Sequence, residues 1–226
     1  MNKFLTMTRS EQTMGWAWFV FQLFFLPVIF VFLNELLHIG LTITMLNVVL
    51  FIVNFAAIVL IFRRYLLLQL QSVRIKALAA WVPLGVFFYW TLAFAINIAV
   101  LTLQPEHANA NNDTVDAFLQ EQPFLMAIGT VVLAPITEET LYRGLLFGQL
   151  YKKHPILGYT VSIFLFAAVH VVGYIGQQDF FSLFVSLLQY LPAGLVFSIV
   201  YAESQTLVAP IILHSFFNLI ATLSMR

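Results

Sequence analysis

Long uncharged apolar segments, separated by short polar connections, dominate the chain. Each is close to the roughly 20 residues that a helix needs to cross a bilayer. Their apolar positions are continuous rather than alternating with polar ones, so they do not have the pattern of barrel strands. They cover residues 16–33, 41–62, 77–103, 156–175, 181–200 and 207–223. The pattern predicts an all-α fold, a polytopic membrane helix bundle.

A seventh segment, residues 124–150, is uncharged only as far as Ile136. Basic residues favour the cytoplasmic side of a membrane, so their distribution tests whether this segment crosses. With seven spans and a cytoplasmic N-terminus, the inside residues are Lys3, Arg9, Arg63, Arg64, Arg74, Lys76, Lys152 and Lys153, and the outside residue is Arg226. Without the seventh span, the two lysines that follow it would move outside. We therefore predict about seven transmembrane helices and a cytoplasmic N-terminus, with three of the helices in residues 1–103.

The composition agrees with a single integral membrane domain over residues 1–226. The chain is 62% hydrophobic and 9% charged, whereas about a quarter of the residues of a soluble domain are charged. Its formal net charge is zero and its basic residues are scattered, which argues against a nucleic-acid partner. Cysteine is absent, which excludes disulfides, thiolate catalysis and Cys-ligated metal. We expect a multi-pass protein of the cell membrane, with residues 104–122 as an external hydrophilic loop.

The stretch PITEETLYRGLLFG, residues 135–148, places Glu138, Glu139 and Arg143 in an otherwise apolar segment. Each charge at mid-bilayer costs roughly 2.5 to 3.5 kcal/mol, so three facing lipid would cost about 8 to 10 kcal/mol. Glu139 and Arg143 are four residues apart in the order that favours an intrahelical ion pair. Glu138 is rotated by about 100° from Glu139 and has no obvious partner. Such a carboxylate suits a general acid or base, although a solvated helix end is the alternative interpretation.

Two other segments carry polar residues at a spacing of four, which places each pair on one helix face. FAAVH contains Phe166 and His170, and HSFFN contains His214 and Asn218. A single histidine in a membrane helix is often a packing residue. Two histidines, an asparagine and a pair of glutamates on three spans indicate a functional site instead. Pro135 and Pro210 lie three and four residues before Glu138 and His214, where each would free a backbone carbonyl and kink the helix, although prolines with no part in a site are common in membrane helices.

Together these motifs resemble those of the CPBP family, which includes type II CAAX prenyl proteases and bacteriocin-processing or abortive-infection (Abi) membrane proteins. The order of the motifs and the spacing within each one match. The matching positions are Glu138, Glu139, Tyr142, Arg143, Gly144, Phe166, His170, His214 and Asn218. The resemblance covers residues 124–223, which would form the catalytic core, whereas the first three spans match only as generic hydrophobic helices.

The resemblance implies an intramembrane endopeptidase that cleaves a peptide or protein substrate at the membrane. Glu138 and His170 would activate a water, His214 and Asn218 would bind the oxyanion, and Glu139 and Arg143 would support them. A metal-free glutamic mechanism without cofactor is favoured. Zinc held by Glu138, His170 and His214 is the alternative, although the HExxH signature is absent. Two non-enzymatic functions stay open: a bacteriocin self-immunity or scaffold protein of the same fold, and an ion-coupled carrier.

Overall fold

The computed structural model of the protein describes residues 4–225, and Lys3 and Arg226, which entered the charge argument, lie outside them. Within this range the chain forms helices and no extended strand, so the all-α prediction is confirmed. The helices are α1 (Arg9–Phe24), α2 (Leu26–Leu36), α3 (Ile43–Ile61), α4 (Arg63–Gln71), α5 (Ile75–Leu103), α6 (Ala110–Glu121), α7 (Pro123–Lys153), α8 (Pro155–Val169), α9 (Phe180–Ser204) and α10 (Val208–Ser224).

Helices α3, α5, α7 and α9 are long and apolar enough to cross a membrane. The predicted span 16–33 is instead a pair of helices, α1 and α2, bent by 53° at their junction. Pro27 causes the break, because it has no N–H to donate to the carbonyl of Leu23 and its ring clashes with that carbonyl. Helices α8 and α10 are apolar but shorter, at 15 and 17 residues. The number of spans and the side of the N-terminus stay predictions.

The hydrophilic segment 104–122, predicted as a loop, contains helix α6 instead. Asn109 caps this helix, since its side-chain oxygen accepts hydrogen bonds from the backbone N–H groups of Asn111 and Asn112. Asp113 in the first turn complements the positive helix N-terminus. Local capping therefore outweighed the low helix propensity of the asparagines.

Helix α7 lies at the centre of the bundle and carries the charged stretch. Every residue of Thr140–Phe147 is buried, including Arg143 with 0% of its surface exposed. The surrounding core comes mainly from α1, α8, α9 and α10. A Cβ atom on Gly194 of α9 would lie 3.0 Å from the Cα atom of Ile163 of α8, so the glycine allows these two helices to pack closely. Glu139 and Arg143 thus face protein and not lipid.

Two wide π-helical turns interrupt α7, at Gly129–Leu133 and at Thr140–Phe147. Between them the short α-helical piece Ala134–Glu139 holds both glutamates. A π-helical turn contains one more residue than an α-helical turn, so it changes the direction in which the following side chains point, and such turns are frequent at functional sites. These two turns decide which way the glutamates face.

Candidate active site

A cavity of about 370 Å³ opens between α3, α6, α7, α9 and α10. The side chains of Glu138, His170, His214 and Asn218 all line it, although they come from three separate parts of the chain. Glu138 lies on α7, His170 directly follows the end of α8, and the other two are on α10. The structure therefore brings together the four residues for which the sequence predicted a catalytic role.

Glu139 and Arg143 form a buried ion pair behind this cavity. Arg143 Nη1 donates to Glu139 Oε1 at 3.0 Å, and neither side chain is exposed. The guanidinium lies against two neighbouring aromatic rings, 4.3 Å from the ring centre of Phe166 and 5.2 Å from that of Phe197. Its other terminal nitrogen makes long contacts of 3.3 to 3.4 Å with α9 carbonyls. Hydrogen bonding and cation–π attraction together compensate the burial of this charge.

His214 lies between the two glutamates. Its Nδ1 is 2.9 Å from Glu139 Oε1, the oxygen that also accepts from Arg143. Because a carboxylate can only accept, Nδ1 carries a proton, and Nε2 is the nitrogen directed towards Glu138. The distance from His214 Nε2 to Glu138 Oε2 is 3.9 Å, too long for a hydrogen bond. Glu139 therefore orients the ring in the way that a carboxylate orients the histidine of a catalytic triad.

Glu138 differs from its neighbour Glu139 in both exposure and bonding. Its side chain is 27% exposed, whereas that of Glu139 is fully buried. Glu138 Oε2 is itself buried and has no hydrogen-bond partner within residues 4–225. One carboxylate is thus used to hold protein groups and the other is directed at the cavity.

His170 is held by two contacts that leave one ring nitrogen free for chemistry. Its Nδ1 lies 2.7 Å from the carbonyl oxygen of Phe166, so that nitrogen is the donor and Nε2 is left as an acceptor. The ring stacks on Tyr190 of α9, with centres 4.4 Å apart. The spacing of four in FAAVH is therefore explained by a hydrogen bond across the last turn of α8.

Asn218 is held by a hydrogen bond to a backbone carbonyl that the helix α7 does not use itself. Its Nδ2 donates to the carbonyl oxygen of Thr130 at 2.7 Å. In the first π-helical turn of α7, the N–H of Ala134 bonds to Gly129 instead of Thr130, and Pro135 has no N–H to offer. The carbonyl of Thr130 is therefore available to a side chain from α10. The expectation that Pro135 frees a carbonyl beside the site is met here, and the second Nδ2 proton of Asn218 is left for a ligand.

Several residues around the cavity lay outside the predicted site. Asn47 and Asn54 of α3 line it, although the sequence motifs did not predict them as site residues. Their spacing of seven places both on one helix face and was the signal that could have found them. Asn111 and Asn112 of α6 also line the cavity. Both asparagines hydrogen-bond to the hydroxyl of Tyr190, so α6 is tied to the ring on which His170 stacks.

The alternative of a zinc site can be tested against the positions of the ligands. Within residues 4–225, no group of three or more His, Asp or Glu side chains is arranged to hold a metal ion. Of the three candidate ligands, His214 has Nδ1 bonded to Glu139 and Nε2 free, and this Nε2 lies 3.9 Å from Glu138 Oε2. Two ligand atoms each about 2 Å from one zinc ion lie at most about 4 Å apart, and tetrahedral ligands lie closer, so Glu138 and His214 would have to approach each other to share one.

Comparison with known proteins adds a family to this geometry. Residues 120–220, a little under half of the chain, match the family model of type II CAAX prenyl endopeptidase Rce1-like proteins. The comparisons with curated proteins and with solved structures found no match. The matched segment contains all three motifs, from the two glutamates to Asn218, so the resemblance drawn from those motifs is confirmed. Over residues 120–220 this membrane protein is therefore similar to the Rce1-like family of type II CAAX prenyl endopeptidases.

Proposed function

We propose that the protein is a glutamic intramembrane endopeptidase of the CAAX type, in which Glu138 is the general base. The family supports a CAAX-type protease that acts on a peptide or protein at the membrane. The observation that carries the finer assignment is the contrast between the two glutamates. Glu139 is fully buried and its Oε1 accepts from both Arg143 and His214, whereas Glu138 is part-exposed on a cavity that also contains two histidines.

In the proposed reaction, a water between Glu138 and His170 loses a proton to Glu138 and attacks the scissile carbonyl. His170 Nε2, an acceptor, holds the second proton of this water and so orients it. The carbonyl oxygen becomes an oxyanion, and the C–N bond breaks when protonated Glu138 returns its proton to the leaving amine. This sequence returns both glutamate and histidine to their starting states.

The oxyanion would be bound by His214 and Asn218. Asn218 has one amide proton left after its bond to Thr130. His214 donates from Nε2 only when its ring is protonated, because Nδ1–H is already directed at Glu139. The proposed role therefore requires a doubly protonated His214 ring, whose Nδ1–H is held by Glu139. Donors of this kind typically contribute about 10² to 10³ in kcat each.

The decisive experiment uses the protein in liposomes and internally quenched peptides that end in a CAAX sequence, with and without a farnesylated cysteine. We expect cleavage by the wild type and none by Glu138→Gln, with Glu35→Gln as a control, because Glu35 is exposed at the end of α2. Each variant must accumulate and unfold like the wild type for the comparison to count. If Glu138→Gln, His170→Ala and His214→Ala all cleaved normally, the assignment would be wrong.

The metal-free mechanism has a separate test. Activity should survive a strong chelator, and the active protein should contain less than one equivalent of transition metal. Activity that is lost on chelation and restored by zinc would overturn this part of the proposal and leave the peptidase assignment intact. We also propose that the protein acts in the cell membrane, which fractionation can establish.

A further inference from the structure

A second, smaller cavity of about 170 Å³ adjoins the first at Glu138. The two cavities share four lining residues: Phe51, Asn54, Ala134 and Glu138. The smaller one extends towards α1 and the end of α8, and neither histidine nor Asn218 lines it. It therefore reaches the proposed base without passing the groups that would bind the substrate carbonyl.

Three buried polar atoms around this cavity have no hydrogen-bond partner within the described residues: Asn54 Oδ1, Thr137 Oγ1 and Glu138 Oε2. Thr137 is only 5% exposed. Most buried polar atoms in proteins are paired, either with protein groups or with ordered water, because an unpaired one destabilises the fold. A cluster of three such atoms on one small cavity therefore points to a polar ligand of small size.

Water fits this set of groups. The oxygens of Asn54 and Glu138 can accept the two O–H groups of a water, and the hydroxyl of Thr137 can donate to its lone pair. A cavity of about 170 Å³ has room for roughly five waters at about 30 Å³ each. The remaining wall is formed by Leu23, Phe51, Ala134 and Val169, with Gln22 and Tyr142 as its other polar residues. The apolar part of this wall offers no hydrogen bonds that compete with those groups.

We propose that this cavity binds a small cluster of ordered waters and supplies the hydrolytic water to Glu138. The inference rests on the proposed function, since it assumes that Glu138 is the base. A peptide in the larger cavity would displace much of the water there, and the bilayer core offers no replacement. A separate reservoir on the other side of the base keeps a water next to it while the substrate is bound. Thr137 and Asn54 then act as positioning residues for the nucleophile.

The kinetic test removes one hydroxyl without changing the shape of the side chain. Thr137→Val should lower kcat about tenfold, the usual effect of one lost hydrogen bond, with KM unchanged, and Thr137→Ser should restore it. Thr140→Val is the matched control, because Thr140 is fully buried on the same helix and its hydroxyl bonds to the carbonyl of Ile136 at 2.7 Å. A raised KM with normal kcat would mean that the cavity binds substrate. That result, or equal effects of both valines, would overturn the proposal.

Hydration can be measured without any enzyme activity. The chain has no cysteine, so Thr137→Cys and Thr140→Cys each introduce a single thiol. A small charged methanethiosulfonate reagent should modify the first in liposomes and not the second. If residue 137 is labelled in a protein that has no peptidase activity, the proposal of a water site stands and the proposed function is refuted. No labelling at residue 137 in an active protein would refute the water site alone.

Discussion

The buried ion pair of Glu139 and Arg143 gives the most quantitative prediction. Arg143→Met keeps the apolar stem and removes the charge, the 3.0 Å hydrogen bond and the contacts with both aromatic rings. Glu139 is then left buried, and within residues 4–225 its remaining hydrogen-bond donor is His214 and its Oε2 is unpaired. Breaking a buried pair on one side costs about 3 to 5 kcal/mol, because the remaining charge is uncompensated. We expect a loss of this size in the free energy of unfolding.

The double variant Glu139→Gln with Arg143→Met separates charge from packing. Glutamine still offers an oxygen to His214, and no charge is left unpaired, so the double variant should be about 2 to 3 kcal/mol more stable than Arg143→Met alone. It should nevertheless be poorly active, because a neutral amide is a weaker acceptor for the His214 Nδ1–H than the carboxylate that orients the ring.

Equilibrium unfolding in mixed micelles measures these free energies, and quenched-peptide cleavage measures activity. Arg63→Met is the control, because Arg63 is exposed at the start of α4. The reasoning would be refuted if Arg143→Met unfolded within about 1 kcal/mol of this control. It would also be refuted if the double variant were no more stable than the single one.

Three further predictions concern the larger cavity and helix α6, which lines it. Asn218→Leu should lower kcat by about 10² or more with a smaller change in KM, as loss of an oxyanion donor does, and unchanged turnover would exclude that role. Tyr190→Phe keeps the ring stack and loses the bonds to α6, so proteolysis within α6 should accelerate while kcat changes little. The hydroxyls of Thr42 and Thr44 hold the pKa of Glu121 below its usual range. Because the folded-state pKa is lowered, this attachment is present at neutral pH and lost as the pH falls through that pKa. Cleavage at the α6–α7 junction should therefore increase only in strong acid, and an increase already at pH 6 would contradict this.

Much of the fold follows from the apolar runs, because a bilayer admits little other than uninterrupted helices at these lengths. The departures have local causes. Hydropathy does not report a missing backbone N–H. It therefore did not predict the break before Pro27, although the proline can be read in the sequence. Helix α6 is polar on most of its surface, and it is stabilised by a cap and by bonds to Tyr190 that join residues about 80 positions apart. Sequence patterns within one segment do not report such contacts.

The candidate site was predictable where it depends on spacing within one helix. The pair at positions 139 and 143 and the paired faces of FAAVH and HSFFN are of this kind. The bond between Glu139 and His214 joins α7 to α10 and had no local signal. Thr137 is an ordinary membrane-helix residue by sequence, and Asn54 is marked only by its spacing from Asn47, so their placement on one cavity with Glu138 is what distinguishes them. A role that depends on the contact of three helices can be assigned only when the fold is known.

The wide turn at Gly129–Leu133 also determines how the chain tolerates changes in length. Such a turn is equivalent to one residue inserted into a regular helix. Deleting one residue there would remove the extra residue and restore regular α-helix, so the two flanking parts of α7 would keep their relative orientation. The carbonyl of residue 130 would then bond within the helix and no longer accept from Asn218. A single-residue deletion in this apolar stretch should therefore leave the protein folded and lower its activity through Asn218, which accumulation and peptide cleavage measured together would show.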